Sequence, residues 1–434
     1  MDRSSPKVVF LTAGGAGMYC GSCMRDNTLV RHLAARAWDI ELVPAYTPIR
    51  TDEEDVSLDR VFFGGINLYL LQKFPFLAHL PDGIFRWLDS PAIIRRATAN
   101  ASIPVDGRLL GEMTLATVNG EHGILRKEHE RFVNWLVQES RPALVNLTNL
   151  LIGGSIPLLR NRLPGVPILV TLQGDDLFLG QLIEPWKSAV ITRMRELAAQ
   201  ADGFVTFTNF YADLMADLLQ APREKFHIVP LGVDAAGTEP RIPNPERPPA
   251  VGFFARISPE KGFHHAVDAF LHLAPLPGME DVQFHFGGWL SAQDRPFFET
   301  QLGRLRDAGL EGRFVHHGSP DRSGKAAFFR QIDVFSVPAE FLEPKGLYVL
   351  EAPAAGVPVV QPAHGSFPEL LHGCPSAQLV APRDPAALAH AWREVLQSPG
   401  RGLSLGATGP DFIRERATAG LMAERTADVY RRVL

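Results

Sequence analysis

Glu343 and Glu351 stand eight residues apart in the string EPKGLYVLE, and their setting decides what chemistry they can do. A proline–glycine loop opens a short apolar helix, on which Leu347 and Glu351 fall one turn apart on the same face. A carboxylate in so apolar a run is unfavourable unless something bonds it. The vicinal hydroxyls of a ribose are one such partner, because they donate to both carboxylate oxygens. Gly346 lets the backbone approach a ligand closely, and the free N–H groups of the opening helix face any anion at its mouth. Each glutamate alone also fits a plainer role, Glu343 at a helix start and Glu351 bonded to backbone. Upstream, Arg256 and Lys261 share the segment FARISPEKG, which follows an expected strand and opens a helix. Two cations beside a helix N-terminus make a cradle for a pyrophosphate. Taken alone, such a loop reads as a solvated turn.

Both groups need strand–loop–helix units to hold them, and the chain supplies these along its length. Short apolar, β-rich runs alternate with helical stretches, the pattern of parallel α/β sheets. Strands are expected over 7–12, 40–44, 143–147, 167–172, 203–207 and 226–229, with a helix over 26–37. A polar, proline-rich stretch then reads as a linker at 236–249. The pattern restarts with strands over 250–254, 283–286, 314–316 and 334–337 and a helix over 262–273, and 410–434 is helical in period. The expected organisation is a first domain over 1–235 with an insertion at about 51–103, a second over 250–409, and a terminal helix over 410–434.

The string PAEFLEPKGLYVLEAPAAGVPV at 338–359 resembles the signature of the large retaining glycosyltransferase family four. That pattern is a proline, a few residues, Glu, seven residues, Glu, then Ala-x-Ala-x-Gly-x-Pro-Val. His364 to Glu369 parallel the family's Gly-Gly-x-x-Glu loop, and the chain departs from the pattern at Pro344, Lys345, Pro353 and His364. The resemblance implies the GT-B fold: two Rossmann-like domains facing across a cleft, with the C-terminal helix crossing back to the first. It implies transfer of a sugar from a nucleotide-diphosphate donor to an acceptor hydroxyl, with retention of configuration and no metal ion or other cofactor. Arg256 and Lys261 then lie against the donor diphosphate, with the Gly346 and Leu347 amides adding to the charge stabilisation. Glu343 bonds the sugar hydroxyls and Glu351 the ribose. A nucleotide-sugar epimerase of the same fold and a non-catalytic nucleotide-sugar-binding protein remain alternatives. Nucleobase, sugar and acceptor are not read from the residues.

The first half carries weaker signals. Gly14, Gly15 and Gly17 follow the first strand and are similar to the family's glycine loop, which approaches the donor phosphates or the acceptor. Gln173 stands where family members often have a sugar-bonding His; it can donate and accept but carries no proton charge, so it is no general base. Asp175 fits a helix N-cap as well as a sugar contact, and Lys345 is placed with these contacts. Cys20 and Cys23 precede a helix, a setting that supports redox chemistry, while small residues lining a tight loop is the plainer reading. His122, His129, His316 and His317 lack metal-ligand spacing and read as polar surface or cleft residues. The segment 51–103 is rich in aromatics, Phe74, Phe76 and Trp87 among them. It fits an acceptor platform, a peripheral membrane contact, an oligomer interface or an ordinary helical subdomain.

Composition bounds these readings. The 434 residues hold two ordinary domains, and 46% hydrophobic with 21% charged residues describes a globular protein. A net charge of −5 argues against nucleic acid as a partner, since phosphate binding needs a concentrated positive footprint. Three cysteines make no disulfide framework, and the start MDRSSPKVVFLTAGG lacks a signal-peptide core, so a cytoplasmic location is expected.

Overall fold

The computed structural model describes residues 5–14, 20–51, 53–63, 107–234, 246–397 and 399–434. The chain divides into two compact units, Met1–Val229 with Met422–Leu434, and Pro230–Leu421. The first is built on a wholly parallel sheet of β1 (Val8–Thr12), β2 (Ile40–Pro44), β3 (Leu144–Leu147), β4 (Ile168–Thr171), β5 (Gly203–Thr206) and β6 (Phe226–Ile228). Its spatial order is β2-β1-β3-β4-β5-β6.

Side chains alternate across a strand, and both faces of this sheet are covered. Val9, Leu11, Val145 and Val170 join one core with Phe132, Met194 and Met215 from three helices. Val8, Phe10, Leu144 and Leu169 join the other with Leu29, Met422 and Tyr430. Double-sided burial is why these strands read as continuous apolar runs. The second core shows the expected return of the C-terminal helix to the first unit. Tyr430 is fully buried there, its ring edge-on to Trp38 with centroids 5.8 Å apart.

The second unit holds β7 (Ala250–Phe254), β8 (Gln283–Gly287), β9 (Phe314–His316), β10 (Val334–Phe335), β11 (Val359–Pro362) and β12 (Ala377–Val380), in the order β12-β11-β10-β7-β8-β9, again all parallel. Aromatic packing fills one face: the Phe263 ring lies 5.2 Å from Phe253, 5.1 Å from Phe286 and 5.8 Å from Phe298. In each sheet the strand order reverses beside the first strand, between β1 and β3 and between β7 and β10. Ligands of such sheets bind outside the carboxyl ends of the strands at that reversal.

Some elements depart from expectation. The helix expected over 26–37 runs Gly21–Ala34, about one turn earlier, and of its first three residues Cys23 is buried. The stretch 410–434 is not one helix but the end of Pro399–Arg416 and then Ala419–Val433. Between them the backbone turns to bond Val233, whose N–H donates to Ala417 O at 2.9 Å and whose carbonyl accepts from Ala419 N at 2.9 Å. Gly232 permits this approach, since a Cβ there would stand 2.2 Å from Thr418 O. Among the described residues no helix is long and apolar enough to cross a membrane. Most of the 51–103 segment, with Phe74, Phe76 and Trp87, lies outside the described residues, as does most of the expected linker.

Candidate active site

Three loops meet at the carboxyl ends of β7, β10 and β11. The β7 loop ends at Gly262, in the left-handed region at φ +70, where a Cβ would stand 1.7 Å from Pro338 O. Glu340 N donates to Glu260 O at 2.9 Å, fastening the same two loops by backbone. From the β11 loop Ser366 N bonds Glu343 O at 2.8 Å and its hydroxyl donates to Pro344 O at 2.9 Å. The backbone scaffold therefore places Lys261 and Glu343 side by side although they are 82 residues apart.

Lys261 Nζ donates to Glu343 Oε2 at 2.5 Å, the Tyr348 hydroxyl donates to the same oxygen at 2.7 Å, and Gly346 N reaches Oε1 at 3.3 Å. Glu343 is buried, at 2% exposure. Burial pushes its carboxyl up, but the Lys261 charge and hydrogen bonds from Lys261 and Tyr348 outweigh that and hold it below the ordinary carboxylate value. Lys261 also lies over the rings of Phe341 and Tyr348, at 4.7 and 5.1 Å from their centroids, so its charge is steadied on several sides. The sequence reading had no means of finding Tyr348.

The other expected residues surround this pair. Arg256 is exposed and reaches Glu260 at 3.5 Å, a contact that leaves its guanidinium largely in solvent. Glu351 is half-buried, and Lys325 Nζ, a residue not singled out from the sequence, donates to its Oε1 at 2.8 Å. Gly346 is buried in the left-handed region at φ +63, and Leu347 is half-buried ahead of the helix Tyr348–Ala354. The Gly346 amide expected to face a ligand is turned to Glu343. Lys345 is half-buried, and its charge also lowers Glu343. Another group the sequence reading missed lies close by. His264 and His265 both bond Glu340 Oε1, at 3.1 and 2.5 Å, while Arg383 donates to Glu340 Oε2 at 2.8 Å. Among the described residues these three form the histidine–carboxylate group close enough to share a cation. The Arg383 charge already occupies its carboxylate, which disfavours a second cation there.

In the first unit Gln173 is buried and donates to Asp26 Oδ1 at 2.9 Å and Thr148 Oγ1 at 2.7 Å. Asp175 is neither the capping residue nor turned outward. Gly174 precedes the helix Asp175–Leu179, and the Asp175 carboxylate accepts Leu150 N at 2.8 Å and Gln173 N at 3.4 Å. Burial pushes its pKa up to about 7, against the pull of those N–H groups. Between the ordinary carboxyl value of 3.8 and about 7 the folded state therefore holds a proton that the unfolded chain has released. Stability should fall as pH rises across that window. Comparing urea unfolding at about pH 5 and about pH 7.5, the expected loss from this group is on the order of 2 kcal/mol. Asp175→Asn should remove that loss, and an unchanged pH slope in the variant would count against the assignment.

Gly14 occupies φ +89 pressed on Thr47, where a Cβ would meet Thr47 O at 2.2 Å; Gly15 and Gly17 lie outside the described residues. The Cys23 thiol is pushed well up by a hydrogen bond with Cys20 and by burial, the opposite of what a reactive thiolate needs. His129 is no surface residue: it is fully buried, bonds Ser155 Oγ at 2.6 Å, and burial lowers its pKa to about 3.

Residues 248–398 match the family model Glycosyl transferases group 1, and residues 27–232 match a Glycosyl transferase 4-like domain. The chain is 28% identical over 288 residues to a 2-deoxystreptamine glucosyltransferase of Streptomyces kanamyceticus, covering 63% of this chain and 72% of that one. It is 27% identical over 382 residues to a D-inositol 3-phosphate glycosyltransferase of Xylanimonas cellulosilytica, covering 79% and 86%. The structure is similar to that of Anabaena HepE in complex with UDP and glucose, with a TM-score of 0.69 at 14% identity, covering 98% of this chain and 99% of that one.

Proposed function

The chain belongs to the group-1 glycosyltransferases of family four, and from that premise we propose that it transfers a sugar from a nucleotide-diphosphate donor to an acceptor hydroxyl, with retention and without a metal ion. The observation that carries this reading is the Lys261 ammonium, held by buried Glu343 and two aromatic rings at the reversal point of the second sheet. A fixed cation beside the mouth of the helix Phe263–Leu273 is suited to a diphosphate that gains charge as it leaves.

In the reaction the bond from the anomeric carbon to the diphosphate oxygen breaks and a bond to the acceptor oxygen forms on the same face. The acceptor proton passes to the departing phosphate oxygen, so no protein nucleophile or general base is required. Lys261 and Arg256 stabilise the developing charge. Glu343 Oε1, which among the described residues carries the long Gly346 bond, keeps lone-pair capacity for a sugar hydroxyl. Glu351, steadied by Lys325, bonds the ribose.

Thermal-shift screening tests the donor assignment, because a ligand bound only by the folded state raises its stability by mass action. UDP-sugars come first, given the UDP held by the Anabaena neighbour. No shift with any nucleotide sugar would overturn the donor reading. Turnover is expected to survive excess chelator and to give product with the donor's anomeric configuration, read by proton NMR. Activity lost to chelator and restored by a divalent ion would contradict the assignment of charge to Lys261 and Arg256.

A further inference from the structure

The reversal point of the first sheet, between β1 and β3, gathers a second set of buried polar groups that the donor chemistry does not use. Arg25 lies in the first turns of the helix Gly21–Ala34, and its side chain is fully buried. Its Nη1 donates to Asp26 Oδ1 at 3.2 Å, and its guanidinium carbon sits 5.0 Å from the Phe207 ring centroid. Its Nε and Nη2, both buried, have no hydrogen-bond partner among the described residues. Those two N–H groups form one straight edge of the planar guanidinium, the fork that takes a carboxylate or phosphate through two parallel bonds. Buried charged donors left unpaired are strongly unfavourable, so this edge of Arg25 points to a ligand.

Asp26 organises the neighbours. Thr12 and Thr148 both donate to its Oδ2, at 2.9 and 2.5 Å, and Gln173 Nε2 donates to its Oδ1 at 2.9 Å. The second Gln173 N–H goes to Thr148 Oγ1 at 2.7 Å, whose own hydrogen is committed to Asp26. Because a carboxylate offers only acceptors, the Gln173 amide has one orientation here, and its Oε1 is buried without a partner among the described residues. Arg25 Nη1 and Gln173 Nε2 share the same oxygen of Asp26, so the empty donor fork and the empty acceptor belong to one cluster.

We propose that Arg25 and Gln173 form a subsite for an acceptor that carries an oxyanion near a hydroxyl, such as a sugar phosphate or sugar acid. The oxyanion seats on the Nε and Nη2 edge of Arg25, and a hydroxyl donates to Gln173 Oε1. The acceptor role rests on the glycosyltransferase reading; the binding chemistry does not. Asp26 acts through both as a positioning residue, holding the amide so that it presents its oxygen.

Calorimetry on the full chain tests this with glucose 6-phosphate, glucuronate and glucose as probes and UDP as the donor-side control. At least one anionic probe should bind, glucose should bind more weakly, and Arg25→Lys should weaken the anion by about tenfold or more, since it keeps the charge but loses the fork. UDP affinity should hold in Arg25→Lys and fall in Arg256→Ala. A failed donor reading and a failed subsite thus give different results: the first loses UDP binding, the second loses the anion. Equal anion affinity in wild type and Arg25→Lys overturns the proposal and leaves an ordered water as the occupant. Loss of UDP rather than the sugar anion in Arg25→Lys also overturns it, by giving the fork to the donor diphosphate. Should Arg25→Lys fail to fold, Arg256→Ala carries the test. Its altered side chain is exposed, and loss of glucose 6-phosphate binding there would move the anion to the second unit.

Discussion

Lys261→Met is expected to lower both stability and turnover, and the two losses should separate in a double variant. The substitution leaves Glu343 buried with the Tyr348 hydroxyl and the Gly346 amide as its hydrogen-bond partners among the described residues. Removing one member of a buried ion pair strands the other charge, an effect of about 3 kcal/mol or more. Adding Glu343→Gln removes that charge while keeping an oxygen for Tyr348 and Gly346, so most of the stability should return. Turnover should stay depressed by roughly a hundredfold or more, because the cation proposed to stabilise the leaving group is still missing. Urea unfolding and initial rates on the same preparations decide it. A single variant as stable as wild type, or a double variant that recovers activity, would be incompatible with the site described.

Arg256→Ala should behave differently, because its side chain is 40% exposed and its contact with Glu260, at 3.5 Å, is a surface pair. Such pairs contribute little to stability, about 0–1 kcal/mol, so the melting temperature should hardly move. Turnover is nonetheless expected to fall by on the order of a hundredfold if Arg256 supplies charge to the transition state, as proposed. Near-wild-type turnover in a normally folded variant would remove Arg256 from the phosphate site. The contrast between the two cations is itself diagnostic: one is built into the scaffold by Glu343, the other is held in reserve at its edge.

The alternation of apolar strands with helices, and the two sheets it builds, were legible in the linear chain. Strands buried on both faces must be apolar throughout, and helices between parallel strands leave a regular spacing. The motif carrying Glu343, Gly346 and Glu351, and the segment carrying Arg256 and Lys261, were legible for a related reason: each is one continuous stretch of chain at the start of a helix. Helix limits were less so. The break at Ala417 follows from a backbone bond to Val233, which no local propensity encodes.

The partners of the site residues were decided by tertiary structure alone. The sequence placed Glu343 in a ligand motif but did not show that it pairs with Lys261, which follows because β10 pairs with β7 and brings their carboxyl ends together. Asp175 was open to a capping or a sugar role, and the approach of Leu150 turned it inward. Gln173 and Asp26 bond across 147 residues, and nothing in either neighbourhood announces the other. A sequence states which groups are present and how they repeat along an element. Which buried charge meets which donor depends on strand order, and strand order is set by how the crossovers pack.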